Sequence, residues 1–521
     1  MLKVKINNRE IEVDEGTTIL EAAGKLGITI PTMCHLEGGE KFASCMICLV
    51  KDMGNGRLVP SCSMPVMDGM DIVTDDAECH EARKAALELL LSEHVGDCEA
   101  PCQGLCPAHM DIPMMNRLIA SGDFDKAIEV IRRDIPIPAI LGRICPAPCE
   151  AGCRRKEMDG SVSICLLKGF AADRQLAKEP KRATARIDLD PAKRKKVAII
   201  GAGPAGLSAA YFIDLRGHSV DIFEKTLETG GAMRGISEEK LPREVLDREI
   251  EYLLGENIRI NHGYDVNKRI FDQLRDDYDV VVVANGGWQD TGAWGMKMGK
   301  SGVEVESGTY LTSLENVFAI GNSIRASKVS VRSVAHGKEL AAVLDRYFLS
   351  GVLERNEERF NSKFGKLVGE EYDEYLKDSI PEPRIEPLEG KAVGFTVEEA
   401  IIEAKRCLRC DCRKADNCLL RDLSGEYGAQ QKRFSFGDRR MVTRKFGNQN
   451  IVFEENKCIR CGKCVQITKQ EKEKFGFTFV GRGFDIKVGV PFDEKLDSAL
   501  RKTAIKVIRN CPVGALAFAS E

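Results

Sequence analysis

The chain has 521 residues, 43% of them hydrophobic and 30% charged, with a formal net charge of −4 and 20 cysteines. That length suits three or four domains, each with enough apolar content for a core. The balanced charge gives no electrostatic argument for nucleic acid or an anionic membrane, and the longest apolar runs, such as Val280–Ala284, are far too short to span a bilayer. No charged-then-apolar leader precedes Ile6, so the expected location is cytoplasmic. There, this many cysteines point to metal or redox work, not disulfides.

In chain order, residues 1–78 read as short strands. Lys3–Ile6 and Glu10–Val13 flank an Asn7–Asn8 turn, and Thr18–Leu26 has helical periodicity. Residues 79–180 read as helical, with Ala85, Leu87, Leu90 and Leu91 marking the buried face of Glu81–Glu93. A basic stretch over 178–195, carrying Pro180 and Pro191, reads as a linker. Residues 195–350 alternate strands and helices. Residues 351–430 read as a charged helical linker, interrupted by Pro381–Pro387 and ending in a cysteine-rich motif, and residues 431–521 as a last small domain.

Cys34, Cys45, Cys48 and Cys62 stand as C-x10-C-x2-C-x13-C. Three thiolates on one loop with a distant fourth is the pattern that wraps a [2Fe–2S] cluster, with Gly38, Gly39 and Ala43 letting backbone approach the sulfides. Zinc is the competing reading, but it usually takes two close pairs and only one is present. The run from Pro31-Thr32-Met33-Cys34 to Ser61-Cys62-Ser63-Met64-Pro65-Val66 resembles the N-terminal ferredoxin-like domain of the complex I 75-kDa subunit and of iron hydrogenases. The resemblance implies a β-grasp fold.

Cys98, Cys102, Cys106, Cys145, Cys149, Cys153 and Cys165 follow. Cys106-Pro107 and the string Cys145-Pro146-Ala147-Pro148-Cys149-Glu150-Ala151-Gly152-Cys153 resemble the helical domain shared by the glutamate synthase small subunit and dihydropyrimidine dehydrogenase. That family holds two [4Fe–4S] clusters between two cysteine strings. The resemblance implies Cys98, Cys102 and Cys153 for one cluster, and Cys106, Cys145 and Cys149 for the other, each set one ligand short. His94-x3-Cys98, after a leucine-rich helix, is similar to the histidine-ligated cluster of the complex I subunit and makes His94 the expected fourth ligand of the first set. A lone histidine is otherwise a packing or surface residue. In the second set the family's Glu or Gln position holds Lys168, whose ammonium cannot ligate iron. Cys165, one helical turn earlier, is the expected replacement; its alternative is a buried apolar cysteine.

Cys458, Cys461, Cys464 and Cys511-Pro512 form C-x2-C-x2-C…C-P, a [4Fe–4S] signature. With Gly481-Arg482-Gly483-Phe484-Asp485 and Cys511-Pro512-Val513-Gly514-Ala515-Leu516 they again resemble the complex I subunit and iron hydrogenases, which usually carry two clusters here. This chain has cysteines for one. Cys407, Cys410, Cys412 and Cys418 remain as C-x2-C-x-C-x5-C, a set that suits a [4Fe–4S] cluster or structural zinc. Arg406-Cys407-Leu408-Arg409-Cys410 resembles the C-terminal end of flavoproteins of the glutamate synthase small-subunit type. In all, 19 cysteines and His94 make five sets of four, and only Cys79 is left over.

Strand Lys196–Ile200, then Gly201-Ala202-Gly203-Pro204-Ala205-Gly206, a helix through Leu215, and strand Ser219–Phe223 ending at Glu224 compose a dinucleotide-binding fingerprint in its required context. Gly201 permits the turn, Gly203 admits the pyrophosphate, Gly206 lets helix and strand pack, and Glu224, followed by Lys225, faces the ribose. Resemblance to the glutamate synthase small subunit continues through Gly230-Gly231-Ala232-Met233-Arg234-Gly235-Ile236, Ala284-Asn285-Gly286 and Gly321-Asn322, and implies FAD rather than NAD. Pro204, Ala205, Gly231, Ala284, Gly286, Gly321 and Asn322 are its expected contacts; Asn322 stands where that family has Asp. The family's inserted NADPH domain has no room here: no second G-x-G-x-x-G follows a strand, and a βαβ unit alone needs about 30 residues.

The fold class expected is multidomain α/β and α+β: a β-grasp [2Fe–2S] domain, a helical two-cluster domain, a Rossmann-like FAD domain and a C-terminal ferredoxin-like domain. The function expected is oxidoreductase: an iron–sulfur flavoprotein subunit of an NADH-linked complex in anaerobic metabolism, relaying electrons between FAD, one [2Fe–2S] cluster, three to four [4Fe–4S] clusters and partner subunits. Electron bifurcation is an open variant. The resemblances imply diaphorase-type NADH/FMN subunits as partners, with a further catalytic subunit or ferredoxin. The alternatives are a self-contained FAD-dependent reductase acting on a small molecule or NAD(P)H, and a redox sensor. No acid–base residue marks the reductase, since His218, His262 and His336 are isolated, and no effector domain marks the sensor.

Overall fold

The computed structural model describes residues 1–178, 182, 187, 189, 190, 193–287 and 293–519. Parts of the expected 178–195 linker lie outside these. The chain divides into two compact units. One gathers Met1–Glu99, Arg359–Asp378 and Cys410–Glu521; the other gathers Ala100–Glu358 and Ser379–Arg409. Both units therefore draw on segments far apart in sequence, cutting across the expected boundaries at 79–180 and 351–430.

The first unit opens with a five-stranded mixed sheet in the order Arg9–Val13, Leu2–Ile6, Met70–Val73, Leu49–Asp52, Arg57–Pro60. Its hairpin turns at Asn7 and Asn8, both at positive φ (46° and 64°), as a two-residue type I′ turn demands. Val4 and Ile6 alternate inward, and helix Ile19–Lys25, started by a Thr18/Glu21 capping box, lays Ile19, Ala22 and Ala23 on them. A second core joins Met33, Cys34, Cys45 and Ile47 of the cysteine loop to Leu87 and Leu91 of helix Ala77–Glu93, Leu420, Tyr427, Phe453, Ile467 and Val507. Strands Lys445–Gly447, Ile451–Phe453 and Leu516–Phe518 form its small antiparallel sheet.

The 351–369 stretch, expected to be helical, has no regular structure; Glu371–Leu376 is the helix of that segment. Its backbone groups are used elsewhere. Cys98 N–H donates to Ser362 O (3.1 Å), and Ser362 N–H donates to Cys98 Sγ (3.4 Å). An intrahelical ladder would withdraw both Ser362 groups.

The second unit holds a five-stranded parallel sheet in the order Val317–Ala319, Val280–Val283, Lys196–Ile200, Ser219–Glu224, Ile258–His262. Helices Pro204–Leu215 and Ser330–Ser350 pack together so closely that a Cβ on Gly337 would fall 2.6 Å from Ala209 N. The cysteine-bearing helices form a separate layer. Pro138–Ile144 and Ile164–Lys178 touch backbone to backbone, a Cβ on Gly142 falling 2.7 Å from Gly169 Cα, and that approach carries Cys145 toward Cys165. Buried Glu249 ties the sheet's helix Arg243–Leu253 to this layer, accepting from Arg132 Nη2 (3.3 Å), Ala139 N (3.0 Å) and Ile140 N (2.7 Å). Among the described residues no helix is long and apolar enough to cross a membrane.

Candidate cofactor sites

In the first unit Cys34, Cys45, Cys48 and Cys62 are all buried. Their thiols share protons: contacts to Cys45 and Cys62 hold Cys34 far below the usual thiol range, and Cys62 draws Cys48 down to about 7, while Cys45 and Cys62 are pushed up as the donors. Ala43 and Met46, at φ 47° and 57°, bend the loop around them. Gly39, expected to face the sulfides, is small for another reason: a Cβ there would strike Gln466 Oε1 at 2.2 Å.

Cys458, Cys461, Cys464 and Cys511 line one pocket with Ile459, Val488, Val513, Ala515 and Leu516. Burial, then the neighbouring thiols, raises Cys458 and Cys464 well above normal and Cys461 to about 12. Gly462 (φ 76°) starts helix Lys463–Gln470, its missing Cβ leaving room for the Phe42 ring, which meets Phe479 edge-on at 6.3 Å. Cys461 also feels the charge of Cys34, so the two cysteine sets are neighbours within this unit.

His94 caps helix Ala77–Glu93 at its C-terminus and is buried. Its Nδ1 lies 2.9 Å from Lys457 O, an oxygen that only accepts, so Nδ1 carries the proton and Nε2 keeps its lone pair. Burial drops the ring's pKa to about 4, against an ordinary value near 6.5. Behind it lies a buried charge network that the motifs do not announce. Glu454 accepts from Lys457 Nζ (2.6 Å) and Arg444 Nε (3.1 Å). Burial alone would raise its carboxyl, but these two cations hold it down at about 2. The only signal in sequence is Lys457's place before Cys458.

Cys98, Cys412 and Cys418 are buried charge neighbours; burial, then these contacts, pushes Cys98 up to about 11 and Cys418 to about 12. Cys410 lies beside Arg444.

In the second unit Cys106, Cys145, Cys149 and Cys165 all face one ammonium. Lys168 is buried and its Nζ lies 3.8 Å from Cys165 Sγ. Burial alone would lower its pKa, but Cys165, Cys145, Cys149 and Cys106 together hold it well above normal. Cys153 has Cys407 as a charge neighbour. Two fully buried arginines set that pairing: Arg155 Nη1 donates to Arg406 O (2.7 Å), and Arg406 holds Glu403 (2.8 Å) and Asp159 (2.9 Å). Cys102 lies in helix Pro101–Leu105, whose Leu105 fills the space a Cβ on Gly152 would take. Cys79, left unassigned, is buried and its Sγ faces Val73 O.

Gly201, at φ 107°, lies against Ala284 O, a Cβ falling at 2.5 Å; a Cβ on Gly206 would strike Gly201 O at 2.0 Å. Gly203 differs. It is the N-cap of helix Pro204–Leu215, and a Cβ there meets nothing within 4 Å. The helix therefore presents its positive end to open space, as a pyrophosphate requires. Gly231 closes on Gly203 Cα (3.0 Å), and Gly321 on Ala205 Cβ (2.7 Å). Glu224 ends its strand with one oxygen accepting from Ala202 N (2.8 Å) and the other from Thr226 N (3.0 Å), and Lys225 follows it, exposed. Gly286, at φ 85°, has open space where a Cβ would sit. Asn322 makes two bonds with Ser327, Nδ2 to O and Oδ1 from N, both 3.1 Å, and so is engaged with its own loop. Gly321 N–H donates to His336 Nδ1 (3.1 Å), and burial drops that ring to about 4, a neutral packing role.

Among the described residues no three His, Cys, Asp or Glu side chains close to the spacing of a single metal ion. The donor chemistry nevertheless fits iron–sulfur clusters: buried and half-buried thiols gathered in sets, some beside backbone N–H groups or a cation. The Gly203 cradle fits a dinucleotide.

Comparison with known proteins matches four stretches of the chain to protein families. Residues 1–77 match a 2Fe-2S iron–sulfur cluster binding domain, residues 79–180 the dihydropyrimidine dehydrogenase domain II with a 4Fe-4S cluster, residues 199–266 an NAD(P)-binding Rossmann-like domain, and residues 448–517 the ferredoxin-like domain of NADH-quinone oxidoreductase subunit 3. The chain is 37% identical over 235 residues to the NADPH-Fe(3+) oxidoreductase subunit beta of Geobacter sulfurreducens, covering 44% of this chain and 34% of that one. It is 41% identical over 211 residues to the NADP(+)-dependent formate dehydrogenase subunit beta of Moorella thermoacetica, covering 36% and 29%. It is 34% identical over 189 residues to the glutamate synthase [NADPH] small chain of Bacillus subtilis, covering 35% and 36%. The chain thus spans about a third of the length of these curated relatives, which are subunits of oxidoreductases. In one polypeptide it thus joins a 2Fe-2S domain and a ferredoxin-like domain similar to that of NADH-quinone oxidoreductase subunit 3 to a central part similar to dihydropyrimidine dehydrogenase domain II and the glutamate synthase small chain.

Proposed function

We propose that the chain is an electron-relay subunit of a multisubunit oxidoreductase, binding FAD, one [2Fe–2S] cluster and three to four [4Fe–4S] clusters. The single observation that carries this is the adjacency of Cys34 and Cys461. The loop that would hold the [2Fe–2S] cluster and the domain that would hold a [4Fe–4S] cluster share one apolar core and neighbouring thiols. A path for electrons needs such adjacency; separate storage sites do not. The cofactors supply the electron chemistry. The protein's part is to hold thiolates, exclude water with residues such as Met33, Ile467 and Leu516, and set potentials with buried charge.

These three relatives are named for NADPH or NADP(+), so the nucleotide couple proposed is NADP(H), with NADH the alternative. The nicotinamide is handled outside this chain. Between strands Val280–Val283 and Val317–Ala319 the described residues carry only a three-residue turn at Ala293–Gly295 and isolated bridges, which provide no second nucleotide sheet. A diaphorase-type flavin subunit suits the electron-input partner, and a catalytic subunit or ferredoxin the output. Anaerobic iron, zinc and flavin analysis tests the cofactor reading: about 14 to 18 iron atoms and one FAD per chain are expected, and fewer than about 10 iron atoms would end it.

A further inference from the structure

The cysteine run Cys407–Cys418 reads in sequence as one ligand set, but the structure divides it. Cys412 N–H donates to Cys98 O (3.2 Å), which lays residue 412 directly on residue 98. Cys418 N-caps helix Leu419–Glu426, and one turn into that helix Arg421 reaches back to Glu99, the residue after Cys98, at 2.5 Å. Arg421 also donates to Ala415 O (3.1 Å) and Phe360 O (2.7 Å), clamping the 412–418 loop to the Cys98 segment. The thiols of Cys98, Cys412 and Cys418 are buried and influence one another's charge. Cys412 Sγ occupies the space beside Gly514, where a Cβ would fall 2.2 Å from it. Cys407 is held instead by the Arg155–Arg406 clamp, with Cys153 as its charge neighbour.

Lys457 links the remaining donor. Its carbonyl accepts from His94 Nδ1, its side-chain carbons lie where a Cβ on Gly96 would fall (2.9 Å), and its ammonium is a charge neighbour of Cys412. Lys457 thus links the His94 segment to Cys412, and Nε2 is the donor atom that the Nδ1 contact leaves to His94.

We infer that Cys98, Cys412 and Cys418, with His94 Nε2 as fourth donor, hold one [4Fe–4S] cluster, so that the 407–418 run serves two different sites. This rests on the iron–sulfur reading above but makes its own prediction about which thiols act together. The reason for such splitting is mechanical. A cluster whose ligands lie more than 300 residues apart closes the chain around itself, and loading it would lock the 410–521 segment onto Cys98.

The test uses the full chain, purified anaerobically. Clusters are stripped stepwise with an iron chelator under mild oxidation, and each fraction is alkylated and mapped by mass spectrometry. Cys98, Cys412 and Cys418 should become labelled together, and Cys407 should follow Cys153. Labelling of Cys407, Cys410, Cys412 and Cys418 as one group, with Cys98 in another, would overturn the division. In parallel, Cys98→Ser, Cys412→Ser and Cys418→Ser should each alter the same electron paramagnetic resonance signal of the reduced protein, with the [2Fe–2S] signal as the folding control, while Cys407→Ser alters another. Hyperfine coupling to a histidine nitrogen on the shared signal, lost in His94→Cys, is expected; a signal without it would overturn the His94 assignment. Zinc released with this group would overturn the cluster. A wild-type chain without iron would instead sink the functional reading as a whole.

Discussion

If Cys106, Cys145, Cys149 and Cys165 hold a [4Fe–4S] cluster, as we propose, removing the Lys168 ammonium should lower its potential without unloading it. Lys168 Nζ lies 3.8 Å from Cys165 Sγ and is buried among four thiols. A metal–thiolate bond of about 2.3 Å puts the charge roughly 6 Å from the nearest metal. At an effective dielectric of about 20, a unit charge at that distance stabilises an added electron by about 3 kcal/mol. For a one-electron couple, where about 59 mV corresponds to 1.4 kcal/mol, the shift is on the order of 100 mV. Lys168→Met keeps most of the side-chain volume and deletes the charge. Anaerobic redox titration followed by electron paramagnetic resonance should show one [4Fe–4S] signal moved negative by that order, with iron content unchanged. A shift under about 20 mV would refute the reasoning, and loss of about four irons would mean that Lys168 is needed to assemble the site.

His94→Asn should flatten the acid-side stability profile. The folded ring titrates near 4 and the unfolded one near 6.5, so the unfolded chain binds the extra proton and the native state loses stability as pH falls from about 6.5 to 4, by up to roughly 3 kcal/mol. The midpoint of thermal unfolding of the iron-free chain, followed by far-ultraviolet circular dichroism against pH, reads this; in the loaded chain, iron on Nε2 would keep the ring from taking the proton and extend the window downward. Gly203→Val should weaken flavin binding at least about tenfold while leaving the melting profile unchanged, because its Cβ enters open space at the helix N-terminus. Gly206→Val should unfold the domain, because its Cβ lies 2.0 Å from Gly201 O; equilibrium dialysis with FAD and a thermal melt separate the two. Arg406→Met should cost about 3 to 5 kcal/mol by leaving the fully buried Glu403 without its cation, seen as a lower temperature of thermal inactivation.

The parts most legible in sequence are those in which local pattern and local chemistry coincide. The Asn7–Asn8 turn, the Thr18 capping box and the Gly201–Gly206 loop are each determined by a few adjacent residues. The grouping of the later cysteines was not legible, because sequence proximity is a poor guide to which thiols share a space. Cys412 meets Cys98 only through a fold that also needs Arg421, Glu99 and Ser362, and none of these carries a motif. The helical expectation for 351–369 failed similarly: charge and composition permit a helix, but Ser362 gives its backbone groups to Cys98. Gly39 warns that a small residue near cysteines can owe its size to a distant side chain, here Gln466.

The central claim is that electrons enter the isolated chain through its iron–sulfur domains and not directly from a nicotinamide. Hydride transfer needs the nicotinamide held against the flavin in a near-attack arrangement. Anaerobic stopped-flow absorbance of the purified chain tests this most directly. Reduced ferredoxin or dithionite should bleach the clusters and then the flavin, whereas NADH or NADPH should bleach neither until a nucleotide-oxidising partner subunit is added. Rapid, saturable flavin bleaching by either nucleotide alone would contradict the relay account.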